Sequence, residues 1–273
     1  MGLQQSNIIQ NGLFQDAMVG VSAVTLILSS VTTGSFTIPS NVTSFTVEAI
    51  GGGAAGWGGG IDNVGYAGGG GGGYARSIIN TAQSGFTYYY SIGAGGNGLT
   101  DTSQGALKIG GNTMLSSSTY SLLLRACGGG NKYPVSSTNI QFGGGNSIQG
   151  EEVNIGQVTY YGGNGATGAG TPTKKTGGGG GAAGSTGNGL NGSQSDGNRG
   201  VGSGGTGTDN YGGDGGNSYP VDTELGWQYG DGSAGTRYGG GGGGGASNGV
   251  SQTGYGGNGA SGIMIVSYNI PNY

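Results

Sequence analysis

The chain has 273 residues, 75 of them glycine, and its 8 Lys and Arg against 12 Asp and Glu leave a net charge of −4. Charged residues make up only 7 %, unlike most disordered chains, and 16 Tyr, 5 Phe and 2 Trp distinguish it from a flexible Gly/Ser linker. A single cysteine, Cys127, excludes an intrachain disulfide; the lack of His argues against a zinc site, and scattered Lys and Arg leave no nucleic-acid footprint.

Residues 1–34 read as an N-terminal attachment segment. Polar amides (Gln4, Gln5, Asn7, Gln10, Asn11) precede an apolar run from Ala17 to Leu28. No Lys or Arg precedes Arg76, so the run lacks the basic region of a secretory signal. Gly20, Ser22 and Thr25 interrupt it, well short of the roughly 18–20 apolar residues that cross a bilayer, and no membrane insertion is expected. The Val, Ile and Thr content of Val19 to Leu28 fits a strand or a short helix. Such a segment either docks a partner, through Phe14, Val19, Val21, Val24, Leu26 and Leu28, or packs on the chain's own sheet.

Residues 35–161 form a β-rich, glycine-containing part. Thr43 to Ile50 alternates Phe45, Val47 and Ala49 with Ser44, Thr46 and Glu48, the period of a half-buried strand. Further strands are predicted at Ser35 to Ile38, Tyr74 to Asn80, Phe86 to Ile92, Leu107 to Ile109, Thr113 to Ser116, Ser121 to Ala126 and Gln157 to Tyr161. Residues 263–273 hold a closing C-terminal strand whose pairing with an N-terminal strand would seal the base.

Residues 162–262 carry the densest glycine, 19 of the 40 positions from Gly177 to Gly216, too many for an ordinary apolar core. Several tracts place Gly at every third position: Gly162, Gly165, Gly168; Gly178, Gly181, Gly184, Gly187; Gly256, Gly259, Gly262. Three residues per turn is the polyproline-II repeat, whose backbone groups are all free to bond to neighbours. The fold expected is mainly β with a polyglycine-II helix bundle: short antiparallel strands at the base, extended Gly-rich helices in layers, little or no α-helix. Tracts with Gly in one phase belong at the rim, with Asn, Thr or Ser pointing to solvent.

No catalytic constellation emerges. G-x-G-x-x-G matches arise by chance in this composition and lack the strand–turn–helix context, and no Lys follows Gly as a phosphate loop requires. Glu151 and Glu152 are adjacent and would face opposite sides of a strand. Asp209, Asp214 and Asn217 have oxygens suited to Ca²⁺, but their spacing matches neither an EF-hand nor a nonapeptide repeat, and turn formation explains them better. No enzyme activity, metal or cofactor is expected.

The insert from Ser218 to Asp231 stands out by its Tyr219, Trp227 and Tyr229, since aromatics among adaptable small residues suit binding loops. A satellite core folded over the glycine layers is the competing reading. Tyr211, Tyr238, Tyr133, Phe142 and Trp57 complete the contact candidates.

The opening FTIPSNVTSFTVEAIGGG (Phe36 to Gly53), GGGGGGYARSIIN (Gly68 to Asn80), YSIGAGGNG (Tyr90 to Gly98) and the closing GASGIMIVSY (Gly259 to Tyr268) resemble the glycine-rich modules of bacteriophage tail fibres and T-even-type tail-fibre tip adhesins. The resemblance spans roughly residues 35–270. It implies a polyglycine-II sandwich on the virion surface, joined to other virion proteins through its N-terminal part, with loops contacting a bacterial surface protein or glycan. The N-terminal 34 residues and the long β-rich portion depart from that pattern. A structural virion component (fibre cap, collar or capsid decoration) is the alternative, and ice binding a remote one.

Overall fold

The computed structural model describes residues 21–58, 66–80, 85–98, 109–119, 121–130, 153–168, 175–195, 203–209, 211–218, 221–223, 226–228, 230–246 and 254–271. Among these residues the secondary structure is all β: β1 (Val21–Leu28), β2 (Thr33–Thr37), β3 (Ser44–Ile50), β4 (Tyr74–Asn80), β5 (Thr87–Ser91), β6 (Thr113–Ser116), β7 (Leu122–Ala126), β8 (Val158–Tyr160), β9 (Val221–Thr223), β10 (Gly226–Gln228) and β11 (Ile263–Pro271). They form a five-stranded antiparallel sheet, β1-β11-β3-β4-β8, a four-stranded antiparallel sheet, β2-β5-β6-β7, and the hairpin β9–β10.

The two larger sheets face each other over one apolar core. Strand alternation sends Phe45, Val47 and Ala49 inward, where they join Met264 and Val266 from β11 and Tyr88, Leu115, Leu124 and Ala126 from the opposite sheet. Phe45 meets the Tyr88 ring edge-on, with centroids 4.9 Å apart. Fully burying a side chain of this size contributes about 2–3 kcal/mol.

β1 pairs with β11 over its whole length, from Val21↔Pro271 to Leu28↔Met264. That register places the run on the protein's own sheet, as the second of the two readings expects. Leu26 and Leu28 lie opposite Val266 and Met264 and pack on the protein's own core. Val24 is half-buried in the same strand, and Val21, at 58 % exposure, is the one attachment candidate here that faces solvent. Phe14 and Val19 lie outside the described residues.

Beyond the strands, glycine tracts join through their backbones with a three-residue repeat. Along one tract Gly177, Gly180 and Ala183 donate to the carbonyls of Tyr66, Gly69 and Gly72. Gly178 and Gly181 donate to Ser193 and Leu190, and Gly179 and Ala182 to Gly216 and Gly213. All seven bonds measure 2.8 to 3.0 Å. Gly51, Ala54 and Trp57 likewise donate to Gly73, Gly70 and Ala67, while Gly53 and Gly56 donate to Ala260 and Gly257. Successive amides thus bond in different directions, and a central tract is surrounded by neighbours.

This packing explains why the residue must be glycine. A Cβ on Gly256 or Gly259 would sit 2.0 Å from the carbonyl oxygen of Gly56 or Gly53, and one on Gly262 2.4 Å from that of Ile50. The every-third-residue phase is the face turned to one antiparallel neighbour. Ala182 and Ala183 stand where their tract meets side chains instead, packing with Ile50, Tyr74, Ile263 and Ile265 on the outer face of the five-stranded sheet. Thr113 ties network to sandwich, its buried Oγ1 donating to the Ile50 carbonyl (2.8 Å) and accepting from the Gly93 N–H (3.1 Å).

Rim polar residues do not simply point to solvent. Asn188 and Asn191 Oδ1 accept the Tyr161 and Asn164 N–H groups (2.8 and 2.7 Å), and Gln194 Nε2 donates to the Thr167 carbonyl (2.9 Å). Where no further tract follows, an amide side chain supplies the missing partner.

Candidate functional site

Hydrogen-bond register gives the glycine network two distinct ends. The tract from Gly51 leaves β3 directly, and the tract ending at Gly73 enters β4, so these residues mark the sheet end. Trp57, Tyr66, Gly177 and Gly245 mark the far end: Tyr66 donates to Gly245, Gly177 to Tyr66, and Gly245 to Trp57. Following the bonds outward, Gly58 and Tyr66, Gly168 and Lys175, Ser195 and Ser203, Ser218 and Gly230, and Ala246 and Gly254 all close at the far end. Five inserts therefore leave the network from one end.

Connections at the sheet end are tight. Gly184 and Gly187 exchange hydrogen bonds across a turn, and Asp209 (φ 62°) and Arg237 (φ 47°) take the left-handed conformation needed to reverse direction. Asp209 Oδ1 accepts the Tyr211 N–H (2.9 Å) and Oδ2 accepts the Ser185 N–H. Asp214 and Asn217 Oδ1 accept the Gly207 and Gly204 N–H groups (both 2.9 Å). These three side chains thus complete turns and tract edges.

The contact candidates separate between the two ends. The insert bearing Tyr219, Trp227 and Tyr229 leaves the far end at Ser218 and returns at Gly230, where Gly230 bridges to Ala246. Within it β9 pairs with β10, setting Trp227 opposite Asp222. Tyr219, Tyr229, Tyr133 and Phe142 lie outside the described residues. Trp57 is also at the far end but is only 7 % exposed, packed with Tyr66 and Ala67; its ring closes that end and offers little surface to a partner. Tyr211 and Tyr238 sit at the sheet end. Tyr238 packs partly buried against the Ile50 cluster, and Tyr211 is exposed.

Tyr211 lines a small cleft, about 60 Å³, with Glu48, Tyr74, Ser185, Asp209 and Ile265. Tyr74 donates to Glu48 Oε1 at 2.5 Å. Burial, and next the bond to this carboxylate, raise the Tyr74 hydroxyl well above the usual tyrosine range. The bond ties β4 to β3 across the outer face of the five-stranded sheet. Sequence reasoning missed the pair because Glu48 and Tyr74 meet only through the β3–β4 register.

The sequence matches the glycine-rich domain family over residues 29–269. The chain belongs to that family. Among curated proteins no match was found. The matched span contains the four-stranded sheet and every glycine tract described above, and of the five-stranded sheet β3, β4, β8 and most of β11, while β1 precedes it.

Proposed function

We propose that this chain is a virion fibre or adhesin protein of a bacteriophage, exposed on the particle surface, that recognises a bacterial surface protein or glycan through loops held by polyglycine-II helices. The observation that carries the reading is the departure of five inserts from one end of the network. A platform whose stability resides in backbone bonds leaves those inserts free to vary. The three-residue hydrogen-bond repeat supports the polyglycine-II assignment of the tracts. The hairpin β9–β10 is the leading contact element, with Tyr219, Trp227 and Tyr229 as its aromatic residues. The mechanism is binding, without chemistry.

A structural role in the particle is the second reading. It is favoured by β1, an edge strand with exposed Val21 and no charged residue. Exchanging residues 218–231 for an unrelated hairpin separates the two. Altered host range with normal particle assembly supports recognition; unaltered range with impaired assembly overturns it in favour of the structural role.

A further inference from the structure

We infer that the protein forms a two-fold dimer in which β1 pairs antiparallel with β1 of a second copy, joining the two five-stranded sheets edge to edge. This dimer supplies a partner for the edge on which the structural reading draws, and it requires neither a particle nor a receptor.

The two edges of the five-stranded sheet are built differently. At one edge β8 has only three residues. Just before it, the Gln157 side chain takes the place of a longer strand: its Oε1 accepts the Ile78 N–H (3.0 Å) and its Nε2 donates to the Ile78 carbonyl (3.3 Å). Short and covered edges resist pairing with another chain. At the other edge β1 runs for eight residues without a charge, a Pro or a Gly. All eight are held in register by β11, and Val21, Ala23 and Thr25 are exposed. The result is a preformed template about 27 Å long.

Charge says what fits it. Residues 17–47 and 238–273 contain no Asp, Glu, Lys or Arg, and they include β1, β2 and β11. Although each chain carries −4, two copies therefore meet along β1 with no like charges opposed. A charged peptide finds no ion partner there, and a flexible one loses backbone entropy on pairing. In a second copy both strands are ordered beforehand.

A two-fold axis through Val24 also matches the faces. Leu26 and Leu28 pack on the core and Ile27 on the outer Ile50 cluster, so alternation puts Val21, Ala23 and Thr25 on the outer face with Ile27. The axis sets Val21 opposite Ile27, and Ala23 opposite Thr25, of the second copy. Val21, 58 % exposed in the single chain, is thereby covered. About six to eight backbone hydrogen bonds form. The joined sheet then ends in β8 on both sides, so growth stops at two.

Sedimentation equilibrium of the full-length protein should give twice the 26.3 kDa chain mass. Ala23→Lys and Thr25→Glu should each weaken the dimer about fivefold or more, by setting like charges diagonally across the axis. Both positions face solvent, so the circular dichroism spectrum should stay that of the parent chain. Mixing the two variants should restore association, because the axis brings position 23 of one copy opposite position 25 of the other. Exchange of residues 218–231 should leave the dimer intact, and sedimentation uses the purified chain, so failure of the dimer is distinguishable from failure of either functional reading. A monomeric parent chain, a trimer, full affinity in Ala23→Lys, or variants that stay apart on mixing overturns the proposal.

Discussion

Neighbouring positions in a glycine tract differ sharply in what they tolerate. A Cβ on Gly181 would lie 2.2 Å from the Thr206 carbonyl oxygen, while the Ala182 methyl is fully buried against the sheet's outer face. Gly181→Ala should therefore cost about 3 kcal/mol or more by forcing tracts apart, and Ala182→Gly about 1 kcal/mol, measured by urea unfolding. Thr113→Val keeps the shape but leaves the Gly93 N–H and Ile50 carbonyl without their partner; a loss of about 2–4 kcal/mol is expected by the same measurement. Tyr74 gives a pH dependence. Its folded state holds the phenolic proton more tightly than the unfolded chain does, through burial and then the Glu48 bond. That contribution is complete below the usual tyrosine value of about 10 and is lost as pH rises beyond it. Burial raises Tyr88 and Tyr268 in the same direction. Melting temperature should fall above about pH 10, and less steeply in Tyr74→Phe.

Strands and tracts are held by different means. A strand such as β3 presents Phe45, Val47 and Ala49 to one face, so its side chains declare both its period and its buried side. A tract with glycine in every phase, such as Gly239 to Gly245, has no side chains to do either. Its edge is instead declared by Asn, Gln, Asp and Thr, whose side chains replace a missing neighbour. Asn191→Ala should leave the Asn164 N–H without its acceptor and cost about 1–2 kcal/mol, whereas Asn191→Asp keeps an oxygen there and should cost less. Paired urea titrations of the two variants check this.

Across the whole molecule, apolar burial organises the sandwich and backbone hydrogen bonds organise the network above it, with Thr113 and the Ile50 cluster at the junction. Amide exchange should reveal the network directly: residues 177–184, assigned to no strand, should exchange as slowly as β3, because each of their amides is bonded. Fast exchange there would contradict the packing. The sequence by itself determined the β periods, the absence of room for side chains at every third glycine, and the grouping of polar and aromatic inserts between tracts, because each leaves a mark in residue type or spacing. Only the tertiary structure decided which tract meets which, since backbone partners carry no residue code. It alone turned Leu26 and Leu28 into the protein's own core, buried Trp57 at the far end, and sent Tyr211 and Tyr238 to the sheet end. Each of those outcomes depends on register, and register is fixed only when distant segments pack.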